Sequence, residues 1–544
     1  MNYKLQIALC GIFLAALTSG VACSPDGPRF EPPFADKLSS LRPENDRNSS
    51  AAAATPELTS ATPTASEPLL VIPRPKKLRE GQSEPFALTA ETRIVVADNA
   101  PPGDLKGAVV LQREIKERFG LDLTRITASA AATPTAAILI GGATTNPLIE
   151  TLQRAKSVPF TPRKPEGYVV SVSPRIVAIA GRDGRGALWG AQTVVQLLAS
   201  APGGGAIIRP VTVEDWPTLS VRSVHLFSGR NALPFHKKLI DRIFSRYKMN
   251  ALFIESERVR WDADPSAAPD WGGTKDDLKQ EIEFARERGI TVYPLMQSYG
   301  HMEWLLQENH PEFAEDPEKP YALCYTDPKA VAYQDGFNTE ANALFDAPGF
   351  HVGFDEVTMR GQFPRRSRPK TFPQMYVAAA TYWHAALAKR NQRMWMWADQ
   401  ALYAADVDPS FGTAPSAADA AAIRAGLPKD IVMVDWQYMP RPYYPSLTRL
   451  KKAGFKNLVA ATWHYPEGIQ NFSKAAAKIK ALGMMQTTWC GYESSEAVLS
   501  TKERRQFTAM VLAADYFWNG GEGPVPSKLP YSAEAVFARQ WADR

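Results

Sequence analysis

Asp215-Trp216-Pro217-Thr218-Leu219-Ser220-Val221-Arg222-Ser223-Val224-His225-Leu226-Phe227 is where the rhythm of the chain changes. From here on, strand-like apolar runs begin near Arg222, Asn250, Ile290, Phe350, Arg393, Ile431, Asn457 and Gly483. Helical spacing follows most of them, over residues 234–247, 275–288, 372–389, 445–453 and 502–517. Eight strands alternating with helices over about 300 residues predict an α/β fold, a (β/α)8 TIM barrel over residues 218–544. In such a barrel the chemistry gathers at the C-terminal ends of the strands.

Upstream, residues 68–217 read as a small α/β domain. The runs 93–97, 137–141, 167–172 and 176–180 are apolar, β-branched and bounded by turn residues, and 103–119 and 187–198 have helical spacing. Gly181-Arg182-Asp183-Gly184 lacks the lysine of a phosphate loop and the three-glycine spacing of a dinucleotide site, so it reads as a strand-to-helix turn. Residues 24–67, rich in Pro, Ser, Thr and Ala, have no hydrophobic period and read as a disordered linker. Residues 1–23 carry a short positive start, an apolar run from Leu5 to Leu17 and small residues ending at Cys23, the pattern of an export signal. Cys23 is a candidate lipidation site, with simple cleavage as the alternative. Either route places the protein outside the cytoplasm, in the periplasm or anchored through Cys23 to the envelope.

Composition narrows the class. Of 544 residues, 45% are hydrophobic and 22% charged, a soluble globular mix whose length suits two to four domains. Sixty-two Lys and Arg against 57 Asp and Glu leave a net charge of +5, with no basic run long enough to follow a nucleic acid. Neither a disulfide scaffold nor a multi-span membrane protein fits four cysteines and a single short apolar leader.

The strand ends carry acids and tryptophans. Strand two ends at Glu255-Ser256-Glu257, strand three at Gly300-His301, and strand four at His351-Val352-Gly353-Phe354-Asp355-Glu356. Strand five ends at Trp397-Ala398-Asp399, six at Trp436-Gln437-Tyr438, seven at Trp463-His464-Tyr465, and eight at Trp489, with Glu493 beyond it. Asp355 and Glu356 are the sharpest pair. At a strand end the chain turns, so neighbouring carboxylates can reach one site, and two so close cannot ionise independently; one can serve as a general acid. Against this stands an Asp helix cap followed by a Glu in the first helical turn. His225, His351 and His464 have no metal-ligand spacing, so no metal and no cofactor is expected.

His351-Val352-Gly353-Phe354-Asp355-Glu356 resembles the H-x-G-x-D-E signature of family-20 glycoside hydrolases, the β-N-acetylhexosaminidases. Asp215-Trp216-Pro217, Arg222, Arg230 and the Tyr247-Lys248-Met249-Asn250 step resemble the family's first two strands, and Gln297–Glu303 looks most like its hexosaminidase D branch. The resemblance implies exo-hydrolysis of terminal β-linked GlcNAc or GalNAc, with retention, by substrate-assisted catalysis. It implies that Asp355 orients the acetamido nitrogen, that Glu356 is the acid and base, and that His301 with Glu255 or Glu257 forms a relay behind it. It further implies that Arg222 holds sugar hydroxyls, that Trp397, Trp436, Trp463 and Trp489 wall the sugar together with Asp399, that Glu493 binds distal hydroxyls, and that Tyr438 or Tyr465 meets the acetamido oxygen. The chain departs from the family pattern at Glu255-Ser256-Glu257, where His-x-His is usual, and after Trp489, where the acid is displaced to Glu493. A non-catalytic carbohydrate-binding protein or a two-carboxylate glycosidase on the same barrel are the alternatives.

Overall fold

The computed structural model describes residues 67–130, 136–307, 309–492 and 495–542. The leader, Cys23, nearly all of the 24–67 linker and Glu493 lie outside the described residues. Among the described residues no helix is long and apolar enough to cross a membrane.

The first unit is a seven-stranded mixed sheet backed by helices, with a small three-stranded sheet beside it. Its strands are β1 (Lys77–Glu80), β2 (Phe86–Leu88), β3 (Arg93–Val96), β4 (Thr124–Thr127), β5 (Ala137–Gly141), β6 (Tyr168–Val172), β7 (Ile176–Gly181), β8 (Leu198–Ser200), β9 (Ala206–Ile208) and β10 (Val211–Asp215). The large sheet runs β1-β10-β6-β7-β5-β3-β4, and the small one β2-β9-β8. Helices Pro102–Phe119 and Gly184–Leu197 pack on each other, and their apolar faces share a core with β3, β5, β6 and β7. Between β7 and the second of these helices, Asp183 accepts a hydrogen bond from the Gly186 N–H at 2.8 Å, a side-chain cap of the strand-to-helix turn.

Eight parallel strands then close on themselves: β11 (Val221–Phe227), β12 (Ala251–Glu255), β13 (Thr291–Leu295), β14 (Gly349–His351), β15 (Arg393–Trp397), β16 (Val432–Trp436), β17 (Asn457–Thr462) and β18 (Gly483–Gln486). Pairing of Val221 with Gly483 and of Arg222 with Met484 shuts the barrel. Phe253, Leu295, Trp395, Trp397, Val432, Val434, Val459 and Met485 fill its interior, and a larger apolar layer lies between strands and outer helices. Helices Pro328–Phe345, Ala417–Gly426 and Pro466–Lys478 were not legible from spacing; the first two are rich in alanine and polar residues and show only a weak apolar stripe.

The two units are bolted together at the N-terminal end of the barrel. Trp518, on the last barrel helix Arg504–Asn519, is buried in the core of the first domain. Its Nε1–H donates to Asp215 at 2.9 Å, and Tyr168 donates to the other oxygen of the same carboxylate at 2.8 Å. Lys248 donates to the Tyr168 hydroxyl at 3.0 Å. Arg222 belongs to this seam. It is fully buried at the start of β11, pairs with Glu166 of the first domain at 2.6 Å, and donates to the Lys248 and Leu219 carbonyls. The expectation that Arg222 grips substrate is therefore corrected: it sits at the opposite end of its strand from the barrel mouth.

Candidate active site

The chain leaves β14 through a turn that ordinary residues resist. Gly353, Phe354 and Glu356 all have positive φ, at 73°, 77° and 49°. Gly353 has a second reason to be glycine, since a Cβ there would lie 1.9 Å from Gln297 Oε1. The Gly353 N–H donates to His351 Nδ1 at 3.1 Å, which fixes the turn from inside the barrel. No helix begins here; the next starts at Phe372, so the helix-cap reading of Asp355 and Glu356 fails. The strained turn instead brings both carboxylates to one imidazole. His301 Nε2 stands 3.4 Å from Asp355 Oδ2 and 3.3 Å from Glu356 Oε2.

His301 itself has a φ of 54° and follows Gly300, where a Cβ would meet the Asp355 carbonyl oxygen at 2.5 Å. The loop after β13 thus approaches the acid pair closely because residue 300 has no side chain. Burial opposes a charge on His301, but Asp355 and then Glu356 outweigh it and hold its pKa well above the usual value. The imidazolium is the cation between the two acids.

Other buried acids surround this centre, and each has its own partner. Asp399 accepts the Glu356 N–H at 3.0 Å and a hydrogen bond from the Thr413 hydroxyl. Burial, then the charge of Asp355, pushes its carboxyl up to about 7. Asp399 therefore supports the backbone of Glu356 from behind, which corrects its expected place against the sugar. Glu255 Oε2 lies 2.8 Å from His225 Nε2. His225 Nδ1 is 3.2 Å from the Thr488 carbonyl oxygen, which only accepts, so the ring proton is on Nδ1 and the neutral ring's Nε2 must accept from Glu255. The shifts agree with a neutral pair rather than the salt bridge that the distance alone would suggest. Burial and Asp355 push Glu255 up to about 8, and burial lowers His225 to about 4. Glu257 accepts the Gln297 N–H at 2.6 Å and a hydrogen bond from Tyr492 at 3.1 Å, and burial followed by Glu255 raises its carboxyl far above the ordinary range.

Aromatic rings continue from the acids to the rim. Trp397 lies 4.6 Å from His351 and 6.3 Å from Trp489; Trp489 lies 6.3 Å from Tyr438. Tyr438 stacks on Trp436 at 5.1 Å and tilts against Trp463 at 5.9 Å. The hydroxyl of Tyr438 is raised well above its usual pKa, chiefly by burial, with Asp355 and Glu356 adding to it, so this ring shares the acid pair's field. Tyr465 turns to His464 at 4.3 Å instead. Gln506 and Phe411 escaped the sequence reading. Gln506 Oε1 accepts from Trp463 Nε1 at 2.7 Å and from the Trp489 N–H at 2.6 Å, tying two rim rings together, and Phe411 packs on Trp436 at 4.8 Å. Neither lies at a strand end, where motif reasoning looks. Arg230, quoted above only for its resemblance, lies exposed in the loop leaving β11 on the mouth side, its N–H bonded to the Trp271 carbonyl. Among the described residues no group of acids, histidines and cysteines is arranged to hold a metal ion.

Residues 69–216 match the profile described as "Glycosyl hydrolase family 20, domain 2". The chain is 28% identical over 202 residues to a β-hexosaminidase of Emericella nidulans, covering 32% of this chain and 33% of that protein. It is 27% identical over 233 residues to a lacto-N-biosidase of Bifidobacterium bifidum, covering 40% of this chain and 20% of that protein. The chain thus spans between a fifth and a third of the length of these curated relatives. The solved family-20 β-N-acetylhexosaminidase of Streptomyces coelicolor A3(2) superposes with a TM-score of 0.64 at 19% identity, covering 88% of this chain and 97% of that one. A family-20 exo-β-N-acetylglucosaminidase of Vibrio harveyi, solved with N-acetylglucosamine, gives a TM-score of 0.65 at 15% identity, covering 88% and 76%. At these identities the two solved structures speak for the fold.

Proposed function

We propose that this chain, which belongs to glycosyl hydrolase family 20, is an exo-acting hydrolase of terminal β-linked N-acetylhexosamine that works with retention through the substrate's own acetamido group. The observation that carries the proposal is His301 held within 3.4 Å of both Asp355 and Glu356 on a strained turn at the barrel mouth.

In the first step the protonated Glu356 carboxyl gives its proton to the glycosidic oxygen as the C1–O bond breaks. The acetamido carbonyl oxygen closes onto C1, and positive charge develops on the oxazolinium ring. Asp355, anionic beside the His301 cation, accepts the acetamido N–H and stabilises that charge. In the second step the Glu356 carboxylate takes a proton from water, the water oxygen bonds to C1, and the ring opens to restore the acetamido group. Tyr438, close enough to feel both acids, is placed to donate to the acetamido oxygen, while Trp397, Trp436, Trp463 and Trp489 exclude water and stack on the sugar. The leader places the enzyme outside the cytoplasm, with Cys23 as its anchor.

The test offers the purified chain nitrophenyl β-glycosides of GlcNAc, GalNAc and glucose, a thiazoline mimic of the intermediate, and a 2-fluoro sugar. The 2-acetamido substrates should turn over and the glucoside should not, and the thiazoline should bind far more tightly than GlcNAc. Asp355→Asn should lower kcat by about 100-fold or more, with a smaller effect on KM. Covalent trapping by the fluoro sugar, with no preference for the thiazoline, would replace this mechanism by an ordinary double displacement.

A further inference from the structure

Away from the mouth, a groove of about 850 Å3 runs down the outer wall of the barrel between helices Pro445–Lys452 and Pro466–Lys478. At eight residues, the first helix gives that wall a length of about 12 Å. The groove is lined by Arg424, Arg449, Lys452, Lys474 and Lys478, against one carboxylate, Asp406. Asp406 lies 3.8 Å from Arg449. Lys452, Lys474 and Lys478 are exposed and have no ion-pair partner among the described residues. Lys452 and Lys478 occupy the last turns of their helices, where a cation suits the carbonyl end, so helix electrostatics account for those two. They do not account for Tyr443. Its ring is 59% exposed at the head of the groove, between Pro442 and the buried Tyr444. Thr448 and Asn471 add neutral hydrogen-bonding groups along the floor.

A flat exposed ring beside unpaired cations and neutral amides is the chemistry that recognises a sugar chain bearing anionic groups. We infer that this groove is a second, non-catalytic binding site for an acidic polysaccharide, whose carboxylate or sulfate groups lie along Arg449, Lys452, Lys474 and Lys478 while one sugar ring stacks on Tyr443. The position supports the assignment, because Tyr443 follows Tyr438 of the aromatic rim by five residues, so a polymer seated here runs toward the mouth. A nucleic-acid strand fits less well, since successive bases want a row of rings and the groove presents one exposed ring.

The site is tested by binding to the full chain, without turnover, so the result stands apart from the hydrolytic reading. Fluorescence anisotropy would use labelled oligogalacturonate, a labelled sulfated chondroitin oligosaccharide, a neutral malto-oligosaccharide and single-stranded DNA of matched charge. At least one acidic oligosaccharide should bind about tenfold or more tightly than the neutral one, and added salt should weaken it. The carboxylate and sulfate arms identify which anion the groove prefers. Lys474→Glu with Lys478→Glu should weaken that binding by about tenfold, and Tyr443→Ala by about fivefold for the saccharide with no change for DNA. All three substitutions should leave cleavage of the small aryl substrates unchanged. Unchanged binding in these variants, DNA binding tighter than either saccharide, or equal losses for DNA and saccharide in Tyr443→Ala would each overturn the inference.

Discussion

His301, Asp355 and Glu356 meet because three residues accept backbone conformations that cost on the order of 1–3 kcal/mol each outside glycine, a strain found where geometry serves chemistry. The acids around them divide the work by protonation. Glu255 shows this most clearly, because the Thr488 carbonyl fixes the tautomer of His225 and so makes Glu255 the donor in their hydrogen bond. With its carboxyl pushed up to about 8 from an ordinary 4.5, the folded chain keeps a proton that the unfolded chain releases. Stability from this group is fully present below the unfolded pKa and is lost as pH rises toward 8, at up to about 1.4 kcal/mol per pH unit. Glu255→Gln keeps a donor toward His225 Nε2 and removes the titration. Thermal melts between pH 5 and 9 should therefore fall less steeply for the variant than for the parent between pH 6 and 8. Parallel curves would mean that Glu255 is ionised in the folded protein.

At the scale of elements, hydrophobic rhythm carried most of the information. The eight barrel strands begin within two residues of where their apolar runs announce them, because a parallel strand buried on both faces must be apolar along its length. Short strands such as β2 and β8, of three residues each, carry too little pattern to be seen. The acid pair and His301 were legible as strand-end residues, whereas Gln506 was not, since it reaches the rim from a helix that begins at Arg504. Family motifs misled in one instructive way. Arg222, Lys248 and Asn250 mark the first two strands clearly, yet the structure uses their side chains in the seam between domains. The turn after β14 is the element whose shape matters most for activity. Gly353→Ala introduces a Cβ at positive φ and against Gln297, so it should cut turnover at least tenfold while a cooperative thermal transition persists. Adding Gln297→Ala relieves the contact but not the φ, so only part of the activity should return. Full activity in Gly353→Ala would show that the turn tolerates another path to the same carboxylate positions.

The whole molecule is one assembly because the floor of the barrel is polar and needs the first domain to satisfy it. Glu166 accepts from Arg222 at 2.6 Å and from Trp189 at 2.7 Å, and Asp215 accepts from Trp518 and Tyr168, all buried. A buried ion pair of this kind adds little net stability over apolar packing, but removing one partner strands the other charge and costs about 3–5 kcal/mol. Arg222→Met leaves the Glu166 carboxylate without its guanidinium in a site from which water is excluded. It should lower the melting temperature by several degrees and leave KM for an aryl N-acetylglucosaminide unchanged, since the reacting atoms are at the other end of the barrel. Glu166→Gln together with Arg222→Met removes both charges and should recover part of the lost stability, which a double-mutant cycle would read as a coupling energy. Arg230→Ala is the counterpart at the mouth: exposed in the loop after β11, it should raise KM and leave the melting temperature within about a degree. If Arg222→Met raised KM at constant melting temperature, the guanidinium would have to reach substrate, and the division of labour between the two ends of the barrel would be wrong.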